Sequence, residues 1–138
     1  MKILVCGLPG SGKTTLADRL AKDLYYTRLN ADQVRSELND WDFSEEGRKR
    51  QARRLRDITN RIPRSITDFV CPTKETRKIF KADYVIWMDT IDESEYEDTN
   101  KMFERLQENE YDLQITNWEN YEFILSAFRS YISRTDAV

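Results

Sequence analysis

The chain has 138 residues, 39% hydrophobic and 34% charged, with a formal net charge of −3. This length supports one domain, residues 1–138, with a modest core beneath a heavily solvated surface. The lack of histidine excludes imidazole acid–base chemistry and the commonest metal ligand, while the negative balance gives no reason to expect nucleic acid or a membrane as partner. No apolar run approaches the roughly 20 residues of a membrane-spanning helix. The opening MKILVCG meets a glycine too soon to read as a secretion signal. Cys6 and Cys71 both lie in apolar, strand-like runs, which fits a reduced, cytoplasmic protein better than a disulfide framework.

Lys2 to Cys6 (KILVC) is a short apolar run ending in glycine, the pattern of a buried parallel strand. From Lys13 onward Leu16, Ala17, Leu20, Ala21 and Leu24 recur at helical spacing with charged residues between them. YYTRLN, residues 25–30, is rich in β-formers and reads as a second strand. A brief helix is expected over Gln33 to Asn39. Ser44 is a good N-cap for a further helix, acidic in its first turn and arginine-rich to about Arg61, which Pro63 ends. Ser65 to Cys71 and Ala82 to Asp89 read as the third and fourth strands, with KETRKIFK a helical link. Residues 92–110 are acidic and polar, helical around KMFERL, and Asp112 to Thr116 reads as a fifth strand. Tyr121, Ile124, Leu125, Phe128, Tyr131 and Ile132 line one face of a closing helix. Strands alternating with helices predict an α/β fold, about five mostly parallel strands with helices on both faces.

Between the first strand and the first helix stands Gly7-Leu-Pro9-Gly10-Ser11-Gly12-Lys13-Thr14, the pattern G-x-x-x-x-G-K-[ST]. Glycines let backbone N–H groups converge on a phosphate chain at a helix N-terminus. Lys13 then supplies positive charge to the β- and γ-phosphates, and the Thr14 hydroxyl holds Mg²⁺. The loop, with Thr15 beside it, predicts ATP and Mg²⁺ as cofactors and a P-loop kinase-like three-layer sandwich as the fold.

Past the loop come LNADQVRSELN and WDFSEEGRKRQARRL. Here the sequence resembles the adenylylsulfate kinases, which use ATP to phosphorylate the 3′-hydroxyl of adenosine 5′-phosphosulfate. Leu29, Asp32, Val34, Arg35, Leu38 and Asn39 keep that family's L-D-G-D-N-[IV]-R-x-x-L-N. Phe43, Ser44, Arg48, Arg53 and Arg54 keep its G-F-S and D-R-x-E-N-x-R-R, with Gln51 in place of the asparagine. FVCPTKETR is similar to its F-I-S-P-x-x-x-x-R at Phe69, Pro72 and Arg77. The resemblance covers residues 3–90.

The resemblance implies a small-molecule nucleotide as substrate and allows a homodimer, since members of the family are commonly dimers. It assigns Arg35 and Arg48 to the acceptor's phosphosulfate, a task suited to the rigid guanidinium fork. Phe43 becomes the platform for the acceptor's adenine, with core filling as the plain alternative. Asp32 can accept the acceptor's proton, help hold Mg²⁺, or cap the helix QVRSEL. Asn39 and Gln51 are further acceptor-side candidates. Lys49, Arg50 and Arg56 read as a solvated face, with Arg53 and Arg54 open between the two roles. Asn117 and Trp118, in the polar loop before the last helix, are candidate neighbours of the ATP base. Asp89 ends an apolar strand but reads as solvated rather than as a metal ligand.

The chain departs from the family at Asn30 and Ala31, which replace an aspartate and a glycine, and at Cys71, which replaces a serine in the acceptor region. After residue 90 the family's lid is much shortened, leaving Lys101 and Phe103 for its basic and aromatic roles. Another small P-loop kinase, for instance one acting on a polynucleotide 5′-hydroxyl, and a nucleotide-binding module without transfer activity are the competing readings.

Overall fold

The computed structural model describes residues 1–117 and 120–136. Five strands form one sheet: β1 (Lys2–Cys6), β2 (Thr27–Asn30), β3 (Ser65–Asp68), β4 (Tyr84–Met88) and β5 (Leu113–Ile115). Their order is β2-β3-β1-β4-β5 and every pairing is parallel. The helices are α1 (Lys13–Leu24), α2 (Ala31–Leu38), α3 (Glu45–Thr59), α4 (Lys74–Phe80), α5 (Glu97–Met102) and α6 (Tyr121–Asp136).

The continuous apolar run of β1 follows from its place at the centre of the sheet, with helices on both faces. Ile3 and Val5 pack with Leu16 and Leu20 of α1 and with Ile124 and Phe128 of α6. Leu4 and Cys6 face the other way, onto Ala52 and Leu55 of α3 and Phe80 of α4. The two clusters make the three layers expected from the alternation of elements. Among the described residues no helix is long and apolar enough to cross a membrane. Cys6 and Cys71 are both buried and unpaired. Burial pushes the Cys6 thiol up to about 12 and raises that of Cys71 as well.

Most element bounds shift by a residue or two from the sequence-based expectation, and three differences have a clear local reason. The second strand starts at Thr27 rather than Tyr25, because Tyr25 takes a left-handed conformation that ends α1, its N–H donating to Ala21 O. β3 stops at Asp68 rather than Cys71, whose φ of 47° is incompatible with a continuing strand. Helix is found at 97–102 rather than around 101–106. The chain after Met102 is tied to the loop before α4 instead, by Glu104 N–H to Pro72 O at 2.7 Å and by the Arg77 guanidinium to Glu104 O.

Parallel order places the sheet's switch point at β1, with β3 on one side and β4 on the other. Ligands of open α/β sheets bind at the carboxyl ends of strands flanking such a point. The β1–α1 loop and the end of β3 meet there.

Phe80 is fully buried, edge-on to Phe69 and beneath the Lys2 ammonium. Phe80→Ala is expected to lower unfolding free energy by about 3–5 kcal/mol, read from the denaturant midpoint at unchanged m-value.

Candidate active site

The glycine loop is shaped by its own backbone. Gly12 precedes α1 in the left-handed region at φ 101°, and a Cβ on Gly7 would stand 2.6 Å from the Met88 carbonyl oxygen. Both positions therefore require glycine. Ser11 N–H donates to Leu8 O at 3.1 Å, and the Thr90 hydroxyl braces the turn by donating to Ser11 O at 2.7 Å. Lys13 is buried, and its ammonium donates to Leu8 O at 2.9 Å. Burial lowers its pKa from the ordinary lysine value, opposed in part by the charges of Asp68 and Asp32.

The register sets the next residue of the site. Val5, one residue before the end of β1, lies opposite Asp68, and Asp68 lies opposite Asn30 of β2. Asp68, buried at 2% exposure, accepts from the Thr14 hydroxyl at 2.9 Å, from Asn30 Nδ2 at 2.6 Å and from Arg28 Nη2 at 3.1 Å. A hydroxyl and one carboxylate side by side at a phosphate loop form the partial oxygen shell that Mg²⁺ takes when phosphates and water complete it. Among the described residues no three Cys, Asp or Glu gather into a metal group. The Thr14–Asp68 pair is thus the place where the residues fit Mg²⁺. Sequence reading passed over Asp68 because its only mark is an acidic end to a short strand. Asp89 carries the same mark and lies elsewhere, bidentate to Arg105 at 3.1 and 2.8 Å and accepting from Gln114 at 2.9 Å.

A cavity of about 560 Å³ opens beside Lys13 and Thr14. Its lining includes Pro9 and Gly10 of the loop, Asp32 and the Asn30–Ala31 turn, and Phe69 and Val70 after β3. Trp41, Phe43 and Arg48 also line it, together with Glu95, Tyr96, Asp98 and Thr99. Asp32 stands exposed in the first turn of α2. Capping of that helix belongs to Asn30, whose Oδ1 accepts from Gln33 N–H at 2.9 Å.

The arm between α2 and α3, residues 39–44, carries Trp41 and Phe43 and is clamped by arginines. Asp40 accepts from Arg50 at 2.9 and 3.0 Å and from Arg54 at 2.7 Å. Arg50 therefore belongs to this clamp rather than to a solvated face. Arg54 also donates to Gln51 Oε1. Buried Arg35 donates to the carbonyls of Asp40 and Asp42 at 3.0 and 3.2 Å and lies 4.5 Å from the Phe43 ring centre. Arg48 donates to Phe43 O at 2.8 Å and to the Thr99 hydroxyl at 2.9 Å, with Asp98 at 3.7 Å. It links the arm to α5. Phe43 is 41% exposed, so it is a cavity wall and not core filling.

Other sequence candidates lie outside this cavity. Gln51 is fully buried and donates to Ala31 O at 2.8 Å, holding α3 against the start of α2. Asn39 is the left-handed C-cap of α2. Cys71 is buried and does not line the cavity, and Lys101 is exposed on α5. Phe103 lines a smaller cavity with Leu8 and Asp89, its ring 5.3 Å from the Arg77 guanidinium. Asn117 is exposed at the bend after β5, and Trp118 falls outside the described residues. Lys49 is paired with Glu45, Glu46 and Glu75, and Arg56 with Asp57.

A family model described as an AAA domain matches residues 3–109. No curated protein is matched by the chain. Among solved structures the chain is similar to the APS kinase CysC of Mycobacterium tuberculosis in complex with AMPPNP and APS, with a TM-score of 0.75. The two are 18% identical, over 93% of this chain and 96% of that one. It is similar to the shikimate kinase of Aquifex aeolicus, at a TM-score of 0.67 and 14% identity over 99% of each chain. A gluconokinase of Sinorhizobium meliloti 1021 has a TM-score of 0.65 and 12% identity, over 97% of this chain and 92% of that one. At these identities the likeness is one of fold, a sandwich shared by P-loop kinases with different acceptors.

The arm makes an acid-stability prediction. The Ser44 hydroxyl, with Ser44 N–H and Arg50, holds Asp42 at about 2. A depressed carboxylate contributes stability above its unfolded value of roughly 4, and the contribution is lost as pH falls through the folded value. The thermal midpoint is expected to drop between those two values, with Asp42→Asn showing a shallower drop.

Proposed function

This chain belongs to the AAA domain family, and we propose that it is a kinase that transfers the γ-phosphoryl group of ATP to the 3′-hydroxyl of adenosine 5′-phosphosulfate, releasing ADP. The observation that carries this reading is the cavity of about 560 Å³ lined by Lys13 and Thr14 together with Asp32, Arg48 and Phe43. A phosphate loop alone serves any nucleoside triphosphatase. An acceptor-sized space opening onto it, next to a carboxylate, is what a group transfer needs.

The roles follow from position. Backbone N–H groups of the loop and the first turn of α1 hold the phosphate chain, and the Lys13 ammonium, drawn from Leu8 O, follows the charge on the γ-phosphoryl oxygens. Thr14 and Asp68 would hold Mg²⁺, which when bound would supply positive charge against the phosphate oxygens. Asp32 accepts the proton of the acceptor hydroxyl as that oxygen bonds to the γ-phosphorus, and the bond to the β–γ bridging oxygen breaks, leaving ADP. Phe43 and Trp41 offer ring faces to the adenine, and Arg48 offers its guanidinium to the phosphosulfate.

One observation favours a second acceptor. Arg35 donates through Nη1 to two backbone carbonyls, Arg48 stands near Asp98, and Glu95 and Asp32 add two more carboxylates to the cavity. Such a wall suits a hydroxyl acceptor with an aromatic ring and less negative charge than a phosphosulfate, such as an unphosphorylated nucleoside.

The test is ADP release by purified protein with ATP and Mg²⁺, with adenosine 5′-phosphosulfate, adenosine, a 5′-hydroxyl oligonucleotide, or no acceptor. Release only with the sulfated nucleotide is the expected result. Release with adenosine alone supports the second acceptor, and equal release in every arm rejects both. Lys13→Ala is expected to lower turnover by roughly 10²–10³-fold, the scale of one lost transition-state donor. Arg48→Ala is expected to raise the acceptor KM with ATP affinity nearly unchanged. Equal loss of both affinities in calorimetry would remove Arg48 from the acceptor site.

A further inference from the structure

No sequence motif marks Arg28, yet its guanidinium is built into the corner where Thr14 and Asp68 meet. It stands on β2, an edge strand, two residues before Asn30, so both side chains leave the same face of the sheet. Arg28 Nη2 donates to Asp68 Oδ1 at 3.1 Å, while Oδ2 accepts from Thr14 Oγ1 at 2.9 Å and Asn30 Nδ2 at 2.6 Å. Both oxygens of the buried carboxylate are therefore donor-satisfied. The arginine is less well held. Among the described residues its buried Nε has no hydrogen-bond partner, and its side chain is 25% exposed at the sheet edge.

A divalent cation held by Thr14 and Asp68 must use this same carboxylate. A guanidinium on one oxygen and a metal ion on the other repel each other at short range, and the carboxylate's charge is shared between them. We propose that Arg28 is a resident counter-cation of Asp68, displaced from Oδ1 along the open sheet edge when a divalent metal binds, and that it thereby sets the metal concentration at which the site fills. In the metal-free protein Arg28 keeps the buried carboxylate paired, which avoids the penalty of an uncompensated interior charge. The inference rests on the reading of Thr14 and Asp68 as the metal-holding pair and is independent of the acceptor.

The test is direct titration of the intact chain with Mn²⁺ in the presence of ADP, following free Mn²⁺ by electron paramagnetic resonance. Arg28→Gln is expected to tighten Mn²⁺ binding roughly tenfold, the scale of one charge-assisted hydrogen bond no longer competed away. Arg28→Lys keeps a cation at the position and is expected to stay within about threefold of the parent chain. Unchanged or weaker binding in a folded Arg28→Gln overturns the proposal.

Should Arg28→Gln fail to fold, ¹⁵N resonances of arginine side chains in the parent protein give the answer. Added Mg²⁺ must shift the Arg28 signal and speed its proton exchange with water, and an unmoved signal overturns the proposal. Asp68→Asn separates the site from the arginine's role. Metal binding that survives Asp68→Asn removes both, whereas binding lost in Asp68→Asn and indifferent to Arg28→Gln removes only the role of Arg28.

Discussion

The carboxylate of Asp68 sits where three strands end side by side, and the phosphate-loop hydroxyl, the Asn30 turn and an edge-strand guanidinium all converge on it. This convergence depends on parallel register. Val5 and Asn30 flank Asp68 on either side, so the β1–α1 loop and the β2–α2 turn leave the sheet at one level. A slip of one residue would turn Asp68 to the opposite face. The cavity, the helix α2 that carries Asp32, and the position of Lys13 all inherit their geometry from that register.

Around this corner the chain builds the rest of the site from charge pairs internal to the molecule. An arginine-rich helix suggests an electrostatic surface for a polyanion, yet Arg48, Arg50 and Arg54 turn toward the arm and α5. Charge-assisted contacts to Asp40 and to backbone carbonyls hold Trp41 and Phe43 as exposed rings lining the cavity, where hydrophobic side chains would otherwise collapse onto the core. Packing around Gly47 tightens the arrangement, since a Cβ there would lie 2.1 Å from the Asp42 carbonyl oxygen. Conformational freedom is thus removed from the arm before any ligand arrives, which lowers the ordering cost of binding.

Some of this was legible residue by residue. The glycine loop announced itself through spacing, because backbone approach to phosphate requires glycine at defined positions. The element order was readable from periodicity, and Ser44 as a helix cap from its place before two acids, as its acceptance from Gly47 N–H shows. Asp68 was not legible, because a strand-ending aspartate acquires meaning only from the strand beside it. Asp89, which directly follows β4 and its more conspicuous apolar run, is engaged by Arg105 and Gln114 instead. Gln51 and Arg35 look like ligand contacts in a motif and are occupied by backbone carbonyls in the fold.

What the amino-acid order determined by itself was local: which segments are strands and helices, where a chain can cradle phosphate, and that imidazole plays no part. Those properties depend on side-chain period, glycine geometry and composition, and they are read within a few residues of one another. Tertiary structure decided which charges meet. Arg28 and Asp68 are 40 residues apart in the chain, and Thr14 and Asp68 are 54 apart. Only the parallel order β2-β3-β1 brings them within hydrogen-bonding distance. Electrostatic and hydrogen-bonding energies fall off over a few ångströms, so their pairing belongs to the fold and not to the string.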